Sequence, residues 1–171
     1  KNFCKKISEI GKYLEDQGMP LAYHHHMGTV VESQEDTERL LENTHDSVKL
    51  TLDTGHMLFA KGDSKKIFEN YNNRLFHVHC KDIRKNVLEK SLKEDLSFRE
   101  AFLEGAFTVP GDGCIDYKPL FDILKKNSYS GWLVVEAEQD PKKANPLEYA
   151  KKGYKYLNDT LKKSDIEIDK N

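Results

Sequence analysis

The sequence predicts an α/β fold built on parallel strands. Short apolar runs alternate four times with amphipathic helical segments, and this alternation is typical of parallel strands joined by helical crossovers. The runs are apolar nearly throughout, as in strands that are buried on both faces. No low-complexity segment or flexible linker interrupts the 171 residues, of which 37% are hydrophobic. We therefore expect one domain over residues 1–171.

The first half of the chain gives three strands and three helices. Residues 1–19 predict a helix that Gly18 and Pro20 end, and the apolar run "MPLAYHHH" after it predicts a strand. "SQEDTERLLENT" predicts a helix with Ser33 as its N-cap. The remaining elements of this half are predicted to be the strand "VKLTLDT" (48–54), the helix "SKKIFENYNN" capped near Asp63 or Ser64, and the strand "RLFHVHC" (74–80).

The second half contains one long interruption of the pattern. Residues 83–116 combine a charged helical stretch with the Gly/Pro loop "VPGDGCID", which we expect near the strand ends. "WLVVEAE" (132–138) predicts the fourth strand, and a helix is expected over roughly 144–161. Residues 163–171 are expected to form a tail.

Charge and cysteine content exclude several classes of protein. Twenty-seven basic residues against 29 acidic ones give a net charge of −2, without the basic surface typical of nucleic-acid binding. No apolar run is long enough for a membrane span. The three cysteines, Cys4, Cys80 and Cys114, form no CxxC pair, so neither a zinc knuckle nor a disulfide framework is expected. A reducing cytoplasm is the expected location.

Each predicted strand ends in residues that bind metals or transfer protons. Parallel α/β folds place their chemistry at the carboxyl ends of the strands, so these side chains are expected to converge. Carboxylates and imidazoles without a thiolate suit manganese, cobalt, magnesium or zinc. The residues are His24, His25, His26 and Glu32 after the first strand, Asp53 and His56 after the second, His77, His79, Lys81 and Asp82 after the third, and Glu136 and Glu138 after the fourth.

Some of these residues have a simpler explanation. Alternation along a strand sends His25 to the face opposite His24 and His26, so His25 is expected in the core. His77 is also expected to be a core residue, because His79 is nearer the strand end. Glu138 and Asp82 are expected to orient their neighbours or to lie at the surface.

The strand ends and their surroundings resemble a known family. "YHHHMGTVVE", "LTLDTGHM", "HVHCKDIR" and "EGAFTVPGDGCIDY" resemble the myo-inosose-2 dehydratases of bacterial inositol catabolism, in the xylose isomerase-like TIM barrel superfamily. The resemblance runs from about Pro20 to Leu157. It implies a (β/α)₈ barrel, of which this chain supplies the C-terminal half, about four βα units.

The resemblance implies one divalent metal, manganese or cobalt above all, at the mouth of the barrel. Asp53, His79 and Glu136 match three ligands of the family pattern. The fourth role is assigned to Glu32, and His24 is a rival for that role as well as a candidate substrate-binding residue. Glutathione is a further cofactor that the resemblance implies.

The implied reaction is elimination of water from 2-keto-myo-inositol (scyllo-inosose), which gives a trihydroxycyclohexane-1,2-dione. His26 and His56 are the candidate acid–base residues, since imidazole titrates near neutral pH. Lys81 is placed to stabilise an oxyanion, and Arg84 is a weaker candidate for the same role.

Other functions stay open from the sequence. A related keto-sugar isomerase or epimerase would use the same metal, and an inactive half-barrel is a third possibility. An endonuclease is disfavoured by the net charge. A full barrel needs about 250 residues, so we expect either a longer polypeptide that supplies the N-terminal half or a homo-oligomer that closes the barrel. The expected partner is a small cyclitol, with neither nucleic acid nor membrane.

Overall fold

The computed structural model describes residues 2–169. Lys1, the first residue of the predicted N-terminal helix, and residues 170–171, at the end of the predicted tail, lie outside the described residues. The helices are α1 (Asn2–Asp16), α2 (Gln34–Glu42), α3 (Thr54–Phe59), α4 (Ser64–Asn70), α5 (Lys85–Lys93), α6 (Phe98–Glu104), α7 (Tyr117–Lys126) and α8 (Pro146–Lys163), with a 3₁₀ turn at Asn72–Arg74. The strands are β1 (Leu21–His24), β2 (Val48–Asp53), β3 (Leu75–Cys80), β4 (Asp82–Ile83), β5 (Phe107–Thr108) and β6 (Trp132–Val135).

The chain divides into two compact units. The first runs to Val78 and includes Ser130–Leu133, and the second comprises His79–Tyr129 and the residues from Val134 onward. Strands β3 and β6 each begin in the first unit and end in the second. The carboxyl ends of these two strands therefore belong to the second unit.

The first unit is organised around a sheet with the strand order β1-β2-β3-β6. β1 and β2 are parallel, with Leu21 opposite Val48 and His24 opposite Thr51. Leu50 and Leu52 of β2 are fully buried, which explains why this strand is apolar along its length. On one side Val48 packs with Ile7 of α1, Val31 of the loop before α2 and Leu40 of α2.

Arg74 joins three parts of the first unit. Its guanidinium, which is almost fully buried, donates to the carbonyl oxygens of Val48 and Leu41 and to the Thr44 hydroxyl. These contacts fix the end of α2 and the start of β2 beside the start of β3. Hydrogen bonds to buried carbonyls make this arginine a structural residue.

The second unit has a small antiparallel pair, β4 with β5, and a packed layer of helices. Tyr117 of α7 is fully buried and contacts the rings of Phe121 and Tyr156. α8 approaches β6 closely at Gly153, where an added Cβ would lie 2.7 Å from Val135 Cγ1. Among residues 2–169, no helix combines the length and apolar composition that crossing a membrane requires.

Candidate active site

The end of β1 places His24 beside Asp53 at the end of β2. The Nε2 atom of His24 lies 3.6 Å from Oδ2 of Asp53, and the aspartate is fully buried. Both residues close their strands, so the parallel register brings an imidazole and a carboxylate together. This pair is a candidate metal-binding pair within the first unit.

Asp53 is held in place by the start of α3. It is the N-cap of this helix, and its Oδ1 accepts a hydrogen bond from the backbone N of His56 at 2.9 Å. A capping carboxylate also interacts favourably with the positive end of a helix. The sequence "LDTGH" therefore forms a strand that turns directly into a short helix.

His25 is a core residue, as predicted. Its ring is fully buried, and Nε2 lies 3.1 Å from the backbone N of Asp53, which donates to it. Burial lowers the pKa of His25 to about 3, a change that the nearby Asp53 carboxylate only partly opposes. The imidazole is therefore neutral at physiological pH.

The rings of His26 and His56 are in close contact. Their centroids lie 3.7 Å apart with the planes tilted by 40°, and His24 contacts both rings edge-on. Nδ1 of His26 lies 2.7 Å from the carbonyl oxygen of Met27. A carbonyl can only accept, so Nδ1 carries the proton and Nε2 of the neutral ring is the basic nitrogen.

The second unit supplies a second imidazole–carboxylate pair. Nδ1 of His79, near the end of β3, lies 2.5 Å from Oε2 of Glu136, which directly follows β6. The backbone N of Glu136 donates to the carbonyl oxygen of Cys80. This bond aligns the two strand ends.

Lys81 is a buried cation between two carboxylates. Its Nζ lies 2.7 Å from Oε2 of Glu138 and 3.5 Å from Oε1 of Glu136, and its side chain has no exposed surface. The hydroxyl of Tyr117 donates to the backbone oxygen of Lys81. The orienting role predicted for Glu138 agrees with this contact.

Asp82 anchors the loop "VPGDGCID". Its Oδ1 accepts from the backbone N of Ile83 and Ile115, and its Oδ2 accepts from the N of Gly111. Burial raises the pKa of Asp82, while these N–H donors oppose the change. A Cβ on Gly113 would overlap the Asp82 carboxylate, so only glycine fits there without a shift. The orienting role predicted for Asp82 is thus toward a loop.

Arg84 also holds this region. Its guanidinium donates to the carbonyl oxygen of Gly105, to the Thr108 hydroxyl and to Oδ2 of Asp112. Lys152 forms a second ion pair with Asp112. These contacts give Arg84 an anchoring role, and its predicted role toward a substrate stays a prediction.

Glu32 bonds within its own loop. Its Oε2 accepts a hydrogen bond of 2.6 Å from the backbone N of Gly28, so the side chain closes its own loop. His24 contacts Asp53 instead. The resemblance assigned the fourth ligand to Glu32 with His24 as its rival, and the contacts of the first unit favour His24.

Comparison with known proteins agrees with this architecture. The family model described as xylose isomerase-like TIM barrel matches residues 1–160. An inosose dehydratase of Clostridium beijerinckii is 51% identical over 152 residues, which cover 88% of this chain and 51% of that protein. The chain thus spans about half of the length of the curated relatives that it matches, and the predicted resemblance is confirmed.

Solved structures share the fold at low sequence identity. A probable 3-DHS dehydratase, AsbF, from Bacillus anthracis has a TM-score of 0.71 and 17% identity, covering 91% of this chain and 55% of that one. The IolI protein, solved with a binding zinc atom, has a TM-score of 0.68 and 21% identity over 92% of this chain and 54% of that one.

Proposed function

Because the chain belongs to the xylose isomerase-like TIM barrel family, we propose that the protein carrying it is a metal-dependent hydro-lyase acting on a keto-cyclitol. The proposed reaction removes water from 2-keto-myo-inositol. Similarity to inosose dehydratases supports the substrate class. The observation that carries the proposal is the imidazole–carboxylate pair at each set of strand ends, His24 with Asp53 and His79 with Glu136.

The proposed ligands of one divalent ion are His24, Asp53, His79 and Glu136. Each is a candidate metal ligand, and each lies at or next to the carboxyl end of a strand in the same sheet. Two imidazole nitrogens and two carboxylates are a donor set that fits a borderline divalent ion. His24 takes the role that the resemblance gave to Glu32, because Glu32 bonds within its own loop.

Manganese or cobalt is the proposed ion, and the zinc named with the IolI structure supports a divalent metal at this kind of site. Glutathione stays a prediction from the resemblance.

The proposed elimination needs a base, an acid and charge stabilisation. When bound, a divalent ion would polarise the ketone oxygen and acidify the neighbouring C–H bond. Nε2 of His26 is the proposed base for the α-proton, because Nδ1 carries the ring proton and donates it in a hydrogen bond to the Met27 carbonyl oxygen. His56, whose ring contacts that of His26, is the proposed acid for the departing hydroxyl.

Lys81 is proposed to hold Glu136 in the orientation that ligation needs. Its ammonium lies between the carboxylates of Glu136 and Glu138, so it neutralises part of their charge when no metal is bound. The same cation is available to a developing oxyanion. This role agrees with the one expected from its position two residues after His79.

Metal content tests the ligand assignment. Glu136→Gln removes a carboxylate charge at nearly constant volume, so we expect the purified protein to retain less manganese or cobalt by elemental analysis, with its circular dichroism unchanged. Glu15→Gln, on the exposed face of α1, is the matched control and is expected to retain the wild-type content. Unchanged metal in Glu136→Gln would contradict the assignment.

Product analysis tests the reaction. The protein that carries this chain, loaded with metal and given scyllo-inosose, is expected to yield a product lighter by one water. A product of unchanged mass would instead indicate a keto-sugar isomerase or epimerase. Loss of neither water nor substrate would contradict both enzyme functions.

A further inference from the structure

We propose that His25 is a positioning residue that holds Asp53 for metal binding. This inference rests on the proposed function, since it assigns His25 a role through one of the proposed ligands. His25 contacts the main chain of Asp53 and would not touch the metal itself.

The contact is specific in its direction. The backbone N of Asp53 donates to Nε2 of His25 at 3.1 Å, and both residues have 0% of their surface exposed. An amide N–H cannot accept a hydrogen bond, so Nε2 is the acceptor and the ring proton lies on Nδ1. A buried amide at this place needs an acceptor.

The strand register explains why a side chain supplies that acceptor. β1 ends at His24, opposite Thr51, whereas β2 continues for two more residues to Asp53. The His25 ring therefore bonds to the part of β2 that extends beyond the paired end of β1. The imidazole thus accepts the hydrogen bond of the Asp53 amide in place of a main-chain carbonyl of β1.

Asp53 is consequently fixed from three directions. Its backbone N bonds to His25, its Oδ1 accepts from the backbone N of His56, and its Oδ2 faces Nε2 of His24. The first contact sets the main chain, and the second sets the rotation of the carboxylate. Together they direct Oδ2 toward the proposed ligand His24.

Packing alone accounts poorly for an imidazole at this position. Nδ1 of His25 is buried and has no hydrogen-bond partner among residues 2–169. A buried donor without a partner disfavours the residue relative to an apolar one of similar size. The acceptor function of Nε2 toward Asp53 is the compensating interaction.

Cobalt binding to four forms of the chain tests the proposal. His25→Leu removes the acceptor, and we expect its Co²⁺ affinity to fall about 10- to 100-fold, the usual effect of losing a contact that orients a ligand. We also expect a changed visible absorption spectrum of the bound Co²⁺. His25→Gln can place its amide oxygen where Nε2 lies, so its affinity and spectrum should stay close to those of the wild type. His45→Leu, at an exposed histidine, should bind Co²⁺ like the wild type.

Thermal unfolding of the metal-free forms separates positioning from a general structural effect. The midpoints of His25→Leu and His25→Gln should be similar although their affinities differ. If His25→Leu does not fold, His25→Asn replaces it, since its shorter side chain does not reach the Asp53 amide. Equal affinity in wild type and His25→Leu, or an equal loss in both the Leu and Gln variants, would overturn the inference alone. A wild-type chain that binds no Co²⁺ would overturn the proposed metal site as well.

Discussion

The ion pair between Lys81 and Glu138 gives a quantitative prediction for the second unit. Lys81→Met keeps the length of the side chain and removes its charge. In the structure the Lys81 ammonium is fully buried at 2.7 Å from Glu138, whereas the Glu138 side chain is 26% exposed. Removing one partner of a buried pair costs about 3–5 kcal/mol. Water can solvate the remaining carboxylate here, so we expect a smaller coupling energy of about 2 kcal/mol.

A double-mutant cycle measures this coupling. The free energies of unfolding in urea are compared for the wild type, Lys81→Met, Glu138→Gln and the double variant. The pair Lys118–Asp122 on α7 is a matched control, because it has the same 2.7 Å separation but side chains about half exposed. Its coupling should stay below about 0.5 kcal/mol. A Lys81–Glu138 coupling as small as that of the control would refute the reasoning from burial.

Two further predictions concern single positions. His26→Ala should lower the rate of dehydration about 10²- to 10⁴-fold in steady-state kinetics, the usual contribution of an acid or base, and near-normal turnover would make His26 structural. Gly113→Ala places a Cβ against the Asp82 carboxylate and the Ile83 oxygen. It should lower the free energy of unfolding by about 1–3 kcal/mol, whereas Cys114→Ala at the exposed neighbouring position should be close to neutral. Equal stability of the two variants would show that the loop relaxes around the added methyl group.

The elements that could be predicted from sequence are those with local signals. Ser33 caps α2 as predicted, through a capping box with Asp36, and Asp63 is the one of the two predicted candidates that caps α4. The four strands of the larger sheet were found from their apolar runs, although β6 ends at Val135 and β1 at His24, earlier than predicted.

The elements that were missed show two different causes. α3 is only six residues long and begins directly after β2, with Asp53 as its N-cap, so the sequence analysis did not predict it as a separate helix. α7 carried a readable pattern, since Tyr117, Leu120, Phe121 and Leu124 all lie on its buried face. The antiparallel pair β4–β5 has two residues in each strand, and its pairing across more than 20 positions leaves no local trace.

The candidate site was predictable in its residue types and less so in its contacts. Period-2 alternation correctly separated buried His25 from His24 and His26. It could not reveal that the His25 ring bonds to the Asp53 amide, because that contact depends on where β1 ends relative to β2. The choice between Glu32 and His24 likewise depends on a loop in which Glu32 bonds to the Gly28 amide. These hydrogen bonds depend on the three-dimensional arrangement of the loops, so the periodicity of the sequence does not indicate them.

The hydrogen bonds of Asp82 to the loop after β5 limit how the length of that loop can vary. One carboxylate accepts amide hydrogens from Gly111 and Ile115, while Ile83 beside it accepts the amide hydrogen of Cys114. Because the two oxygens of one carboxylate bind the amides of Gly111 and Ile115, the length of the loop between these residues is fixed. Inserting or deleting one residue between 111 and 115 would therefore move the later amides out of reach of Asp82 and Ile83. We expect exposed positions of this loop to accept other side chains, whereas a change in its length would break the hydrogen bonds to Asp82.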